Sequence, residues 1–382
     1  MPEPFKNRFN ETLVKQLAFH LKRVAPPLNT TRLTRHVKAL DALELKQRSE
    51  WITDQLDAIC PAGFKALDLL LRAILHPEED APLSEMKSDE LGVRGWVIMP
   101  LGELVVRRGM DQPRDSLALL EAFTKRFSAE FAVRPFIEAH PKMAFAQLKR
   151  WARSDNEHVR RLASEGSRPR LPWGIRLQEL VKDPAPILPV LELLKNDTST
   201  YVRKSVANNL NDIAKDHPDT VVAVGERWLH EVVGKPDEKV RRGMVRHALR
   251  SLIKQGHPQA LSLLGVSAPK VEVRSFVLKP KKVSLGGSVT LNITLQSTSN
   301  RAQSVVLDYA VFHQKKNGTK AAKVFKWKSF SLPAKGAVDL SKQHSLKPVT
   351  TRVYYNGEHD IELRINGKPY GKATFLLSGC DA

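Results

Sequence analysis

Two glutamates, one tryptophan and four arginines lie close together in residues 155–174. The segment begins as a predicted helix with Asp155 as its N-cap, and Gly166 ends that helix. Two prolines keep the following residues extended, so that cationic side chains two residues apart can point the same way. The segment therefore predicts an anion-binding surface into which the carboxylate of Glu165 and the aromatic ring of Trp173 are set. Its arginines are Arg160, Arg161, Arg168 and Arg170.

A motif in which an aspartate precedes a valine and two basic residues occurs three times. Its valines, Val159, Val202 and Val240, are 43 and 38 residues apart, close to the roughly 40–47-residue period of HEAT and armadillo helix pairs. In such pairs the aspartate caps the second helix, the valine packs inward, and stacked helix starts line one concave face. The alternative, which the repeat leaves open, is that these charges pair between repeats. The basic pairs are Arg160 with Arg161, Arg203 with Lys204, and Arg241 with Arg242.

The charge of the chain indicates an anionic partner. The 382 residues carry a net charge of +20, which favours nucleic acid over an anionic membrane or an acidic protein. No stretch approaches the roughly 18 apolar residues of a spanning helix, and the first residues lack a signal peptide's apolar segment. The two cysteines, Cys60 and Cys380, form neither a metal motif nor a disulfide framework. We expect a cytoplasmic bacterial protein, a monomer without metal or cofactor, that binds DNA and no membrane.

Helical periodicity dominates the first two thirds of the chain, and alternating patterns dominate the rest. We expect a multidomain protein in which an α-helical HEAT-repeat solenoid (1–265) precedes an all-β immunoglobulin-like sandwich (270–382) of about seven strands. The predicted helices include residues 8–25, 31–60, 62–76, 96–106, 115–127 and 128–139. The predicted strands include residues 288–295, 305–312, 352–355 and 360–365.

The sandwich region is the more basic part of the chain. Six lysines surround one predicted hairpin tip, and they fit a loop that contacts phosphates. The alternative is that they protect a sheet edge from aggregation. The six are Lys315, Lys316, Lys320, Lys323, Lys326 and Lys328, and the first three are predicted to contact DNA.

Three blocks of the sequence resemble one family of enzymes. The segments SAEFAVRP (128–135), VRRLASEGSRPRLPW (159–173) and YVRKSVANNLND (201–212) are similar to the AlkC branch of the HEAT-repeat DNA alkylation repair glycosylases. Some members of that branch carry a C-terminal immunoglobulin-like domain. The resemblance implies excision of cationic N3-methylated bases, chiefly 3-methyladenine and also 3-methylcytosine, from DNA during base excision repair. It also implies that the lesion is not flipped into a pocket.

The resemblance implies that Glu130, Glu165, Trp173 and Asp212 line the lesion site. Each also has an ordinary structural interpretation. Glu130 has the spacing of a surface ion pair with Arg134, Trp173 could pack at the next helix start, and Asp212 continues a polar helix face. Glu165 at a helix C-terminus opposes the helix dipole, which suggests a function or a neighbouring arginine.

The chemistry of these side chains suits such a reaction. An N3-alkylated base is already a cationic leaving group, so positive charge develops on the deoxyribose as the glycosidic bond breaks. Fixed carboxylates beside C1′ stabilise that charge and orient water, and an indole face adds a cation–π contribution. Arg161 and Arg168 would hold flanking phosphates. The alternative is a non-catalytic HEAT-repeat module that binds damaged or structured DNA, and a scaffold for an acidic protein is a third possibility.

Overall fold

The computed structural model describes residues 4–266, 269–349 and 352–380. Its helices end at Leu263 and its strands begin at Val271, which confirms a helical region followed by a β-sandwich. Short 3-10 helices cover Phe5–Arg8, Val37–Ala42 and Gly95–Val97. The α-helices are α1 (Glu11–Val24), α2 (Thr31–Arg35), α3 (Leu45–Ile59), α4 (Phe64–Ala73), α5 (Ile98–Gly109), α6 (Pro113–Thr124), α7 (Val133–Ala139), α8 (Pro141–Trp151), α9 (Glu157–Glu165), α10 (Gln178–Lys182), α11 (Leu188–Leu194), α12 (Thr200–Ile213), α13 (Pro218–His230), α14 (Glu238–Ala248), α15 (Arg250–Gln255) and α16 (Pro258–Leu263).

Successive amphipathic helices pack side by side and bury their apolar faces. Helix α5 contacts both α3 and α6, and α9 contacts both α8 and α12. Val159 of α9 and Val202 of α12 are completely buried, as the repeat predicts. Asn209 of α12 joins the same two helices, because its side-chain nitrogen donates to the Ser164 carbonyl at 2.7 Å. These contacts place the C-terminal end of α9, where Glu165 lies, against α12.

Several details of the helical prediction are wrong. Asn156, not Asp155, caps α9, since its side chain accepts from the backbone N–H groups of residues 158 and 159. The side chains of Asp197 and Asp237 do not cap α12 and α14. Val240 is 48% exposed and does not pack inward. The long predicted helix over 31–60 is interrupted by a 3-10 segment.

The predicted helix over residues 128–139 also begins later than expected. Helix α7 starts at Val133, and turns precede it. Local side-chain bonds favour those turns over a helix, because Thr124 Oγ1 accepts from the Ala129 N–H and Ser128 Oγ donates to Glu130. Glu130 therefore lies in a turn rather than on a helix surface.

Two sheets form the sandwich. One has the order β1-β3-β6 and the other has the order β2-β8-β7-β4-β5. Alternate side chains of β3 are buried along its whole length, which is the pattern of a strand with one face in the core. The strands are β1 (Val271–Lys279), β2 (Lys282–Ser284), β3 (Ser288–Ser297), β4 (Gln303–Gln314), β5 (Lys320–Leu332), β6 (Ala337–Ser345), β7 (Gly357–Ile365) and β8 (Lys368–Ser378).

The strand prediction for residues 352–355 is wrong. Arg352 forms only an isolated bridge with Val349, and β7 begins at Gly357. Val353 is 68% exposed and Tyr354 is buried, so the side chains alternate here although the backbone forms no strand. The lysine cluster lies on the β4–β5 hairpin, and β5 is an edge strand. Lys315, Lys316 and Lys320 flank the hairpin tip. The other three lysines lie farther along β5.

The contacts within the chain define two compact units, residues 1–217 and 218–382. The second unit contains α13 to α16 as well as the strands. The division of the chain into a DNA-binding region, 1–265, and an assisting region, 270–382, stays a prediction. Among the described residues, no helix is both long and apolar enough to cross a bilayer.

Candidate active site

A cleft of about 300 Å³ in the first unit brings together side chains that are far apart in the chain. Its polar wall comes from the turn before α7 and from α9, and its apolar wall from the segment before α5 and the loop after α9. Three of the four predicted lesion-site residues, Glu130, Glu165 and Trp173, line it. The other lining residues are Leu83, Trp96, Met99, Phe127, Ser128, Phe131, Arg161, Arg168, Leu171 and Pro172.

Arg161 links the two glutamates. Its Nη1 donates to Glu130 Oε2 and, at 2.8 Å, to Ser128 Oγ. Its Nη2 lies 3.4 Å from Glu165 Oε1. The guanidinium also lies over the ring of Tyr201, 5.3 Å from the ring centroid. Glu130 therefore pairs with Arg161 rather than Arg134, and the side chain that was expected to hold a phosphate instead fixes two acids.

Glu165 has partners on both carboxylate oxygens. Arg168 Nη1 donates to Oε1 at 2.6 Å, and Ser205 Oγ of α12 donates to Oε2 at 2.6 Å. Arg168 Nε also donates to Asp212 Oδ2 at 2.8 Å, and Lys215 Nζ donates to Asp212 Oδ1 at 2.9 Å. Acidic and basic side chains thus alternate along one continuous network of hydrogen bonds. Asp212 is buried behind Arg168 and does not line the cleft.

This arrangement keeps Glu165 ionised. Burial alone would raise the pKa of its carboxyl, but the charges of Arg161 and Arg168 and the hydrogen bond from Ser205 lower that pKa below its ordinary value. Burial disfavours the charge of Arg161 as well, yet Glu130 and Glu165 raise the pKa of its guanidinium. Glu165 is therefore a charged carboxylate rather than a proton donor.

The opposite wall of the cleft is aromatic. Trp173 is 51% exposed and has a φ of 65°, a left-handed conformation that costs a residue other than glycine about 1–3 kcal/mol. The ring centroid of Phe5 lies 5.8 Å from that of Trp173 and 5.7 Å from that of Trp96. The ring centroids of Trp96 and Phe127 are 5.4 Å apart. Trp173 therefore does not simply pack at a helix start; it contributes to a wall of rings that faces two acids.

A buried arginine shapes the loop that carries Trp173. Arg134 is completely buried, and its guanidinium donates to the carbonyls of Gly166 at 2.9 Å, Arg168 at 2.7 Å and Ile175 at 2.8 Å. Burial, together with the charge of Arg168, lowers its pKa to about 10. A Cβ at Gly174 would lie 3.0 Å from Arg134 Nε, so the loop passes directly over this side chain.

Most of the remaining predicted DNA contacts are already engaged within the protein. Arg160 pairs with Asp197, as the alternative interpretation of the repeat proposed, and Arg170 pairs with Asp216. Arg203 donates to the Asp197 and Thr198 carbonyls. Three further side chains are paired with acids: Arg241 with Glu231, Arg242 with Glu238, and Lys320 with Asp360. The predicted contacts outside these pairings are Lys204, Lys315 and Lys316, and all three are exposed.

Two family models match the chain. One, described as a DNA alkylation repair enzyme, matches residues 126–252 and so spans both glutamates of the cleft and Asp212. The other, described as the C-terminal Ig-like domain of the uncharacterised protein YhaZ, matches residues 272–379, which is the whole sandwich.

Two proteins are similar over almost the entire chain. The uncharacterized protein YhaZ of Bacillus subtilis (strain 168) is 36% identical over 375 residues, 97% of this chain and 99% of its own. The structure of Pseudomonas fluorescens alkylpurine DNA glycosylase AlkC, bound to DNA with an abasic site analog, is 38% identical. It superposes with a TM-score of 0.87 and covers 99% of this chain and 100% of its own. The chain therefore belongs to the AlkC-type DNA alkylation repair enzymes that carry a C-terminal immunoglobulin-like domain.

Proposed function

We propose that the protein is a monofunctional DNA glycosylase for cationic N3-alkylated bases, 3-methyladenine and 3-methylcytosine, in double-stranded DNA. It hydrolyses the N-glycosidic bond and starts base excision repair on the DNA of a bacterial cytoplasm. The described cleft is built within one chain, which supports action as a monomer. The similarity to an alkylpurine DNA glycosylase that binds an abasic site analog supports the substrate class.

The observation that carries the proposal is the pair of fixed carboxylates, Glu130 and Glu165, opposite an exposed indole, Trp173. As the bond to a cationic base breaks, positive charge develops on the deoxyribose. Carboxylates that are already oriented stabilise this charge without reorganising, and one of them can orient the attacking water. The face of Trp173 attracts the same charge.

The arginines of the network decide which chemistry the acids perform. Because Arg161 and Arg168 keep Glu165 ionised, this carboxylate is suited to attracting a cation and unsuited to protonating a leaving group. A neutral base that is not protonated must leave as an anion, whereas a cationic N3-alkylated base leaves as a neutral molecule. The network therefore favours cationic lesions and gives no advantage to unmodified bases. Asp212 contributes through Arg168, which it fixes from behind.

We propose that the base stays outside any protein pocket while its sugar faces the cleft. A base-flipping enzyme reads the edge of the extruded base with hydrogen-bonding groups. No side-chain amide is among the residues that line the cleft, and apart from the two indole N–H groups its polar side chains are charged or bonded to charged groups. This lining suits a sugar cation better than a base edge. A distorted duplex would suffice to expose C1′.

The experiment is incubation of the protein with duplex DNA that carries methylated bases, followed by chromatography of the released material. We expect free 3-methyladenine and 3-methylcytosine and no release of unmodified bases. Binding of the methylated duplex without release of a base would contradict the proposal and favour a non-catalytic DNA-binding module.

A further inference from the structure

The cations around the cleft raise a question about how DNA is held there. Arg161 is partly buried and Arg168 is buried, and both are bonded to carboxylates, so a phosphate would compete for their charge with Glu130, Glu165 and Asp212. A side chain that contacts a phosphate at the surface needs a positive charge that is not already paired with a carboxylate. The neighbouring surface of the first unit contains cations of this kind.

A second groove, of about 320 Å³, shares Trp96 with the cleft. Its lining includes Arg8, Lys87 and the hydroxyl-bearing Thr12. Arg8 lies at the end of the first 3-10 helix, Thr12 lies in the first turn of α1, and Lys87 lies in the loop that precedes Trp96. Since the two depressions meet at one indole ring, a strand whose sugar faces the acids can continue into this groove.

The walls of the groove are fixed by bonds that do not involve the side chains of Arg8 and Lys87. Gln16 Nε2 donates to the Ser88 carbonyl at 3.0 Å, which ties α1 to the loop. Arg94 Nε donates to the Lys87 carbonyl at 2.9 Å, and its Nη1 pairs with Glu78. The side chains of Arg8 and Lys87 are exposed, and neither forms an ion pair with any described residue. Phosphate binding here would therefore break no ion pair of Arg8 or Lys87.

We propose that this groove binds the sugar–phosphate backbone of the DNA strand next to the lesion, with Arg8 and Lys87 as its phosphate contacts. The inference rests on the proposed function, since it takes the strand to be the one whose sugar enters the cleft. Each contact releases condensed counterions from the DNA. Arg8 and Lys87 therefore increase the affinity for DNA and fix its position along the protein. Glu130 and Glu165 carry out the chemistry.

The first test measures how binding depends on salt. The full-length protein and the variant with both Arg8→Gln and Lys87→Gln are titrated with a fluorescent duplex that contains one tetrahydrofuran abasic site. Each lost phosphate contact should reduce the slope of log K against log salt by about 0.9, so we expect a loss of roughly two in the double variant. The matched control is Arg114→Gln with Lys65→Gln, exposed residues that line neither depression. Equal slopes for both double variants would overturn the inference.

The second test locates the contact on the DNA. Single phosphates on both sides of the abasic site are replaced, one at a time, by neutral methylphosphonates. A replacement at the phosphate that Arg8 or Lys87 contacts should weaken binding of the wild-type protein and leave the corresponding variant nearly unaffected. Additive losses at every position would show that the groove holds no backbone phosphate.

The results of these tests distinguish an error in the groove inference from an error in the proposed function. If the wild-type protein releases methylated bases while the groove variant keeps the wild-type slope, the glycosylase proposal stands and the groove inference is wrong. If the wild-type protein binds DNA with the expected slopes but releases no base, the groove inference stands and the proposed chemistry is wrong.

Discussion

The cations of the cleft and those of the β4–β5 hairpin have the same charge but different surroundings. Arg161 and Arg168 are enclosed by helices and bonded to three acids. Lys315 and Lys316 are exposed at the tip of a hairpin. A paired, buried guanidinium has little to offer a phosphate, whereas an exposed ammonium can release counterions from DNA. Net charge alone therefore predicts that DNA is bound but not which cations bind it.

The same comparison explains why acids occur on a DNA-binding protein. A carboxylate beside phosphates is unfavourable unless neighbouring cations compensate its charge. Arg161 provides this compensation for both Glu130 and Glu165. The cleft therefore presents oriented carboxylates while the surface as a whole remains attractive to DNA.

The largest expected effect is loss of excision without loss of binding. Glu130→Gln and Glu165→Gln keep the shape of each side chain and remove its charge. Each should slow single-turnover excision of 3-methyladenine about 10²–10³-fold, equivalent to about 2.7–4 kcal/mol of barrier. Affinity for abasic duplex should not fall, because each change removes a negative charge.

The matched control for these variants is Glu179→Gln, an exposed glutamate that pairs with Lys182 and does not line the cleft. It should excise at the wild-type rate. Wild-type excision by both cleft variants would eliminate the assignment of these acids.

A smaller effect should follow from loss of the Ser205 hydroxyl, which donates to Glu165 at 2.6 Å. A hydrogen bond to a charged group contributes about 1.5–3 kcal/mol, so Ser205→Ala should slow excision roughly tenfold or more. The pKa of Glu165 is held below its ordinary value, so activity should disappear only as the pH falls through that lowered pKa. Without the hydroxyl this pKa rises, and the acid limb of the pH–rate profile should move to higher pH.

Ser205→Thr keeps the hydroxyl and should restore the wild-type profile. An unchanged acid limb in Ser205→Ala, with a reduced rate, would indicate that Ser205 acts only through packing.

The smallest expected effect concerns the hairpin. Lys315→Gln with Lys316→Gln should reduce the salt slope by about 0.9 for each phosphate that these lysines contact, with little change in the rate of excision from bound DNA. Lys347→Gln with Lys368→Gln, also exposed in the sandwich, is the control. If the hairpin variant keeps the wild-type slope, its lysines protect a sheet edge instead.

The sequence predicted the order of structural classes because periodicity is a local property. The buried valines of α9 and α12 and the alternating residues of β3 follow directly from helical and strand spacing. Val240 has the same local motif but is exposed, since its burial depends on which helices pack nearby. The start of the predicted helix over 128–139 likewise depended on Thr124 and Ser128 side-chain bonds.

The candidate site could be predicted only in part. The motifs led to Glu130, Glu165 and Trp173, which the structure brings to one cleft; their catalytic role stays a prediction. Phe5 and Trp96 were missed because ring contacts across many residues leave no short-range pattern. The pairing of Arg161 with Glu130 and of Arg168 with Asp212 was not predicted either, because a basic residue has the same sequence signal whether it meets a phosphate or a carboxylate.

The most direct measurement of the central claim compares two abasic analogues in otherwise identical duplexes. One contains a cationic azasugar that imitates the charged deoxyribose, and the other contains the neutral tetrahydrofuran. If oriented carboxylates stabilise a sugar cation, the wild-type protein should prefer the cationic analogue by about tenfold or more, equivalent to about 1.4 kcal/mol. The variant with both Glu130→Gln and Glu165→Gln should lose this preference. Equal affinities of the wild-type protein for the two analogues, or an unchanged preference in that variant, would contradict the account.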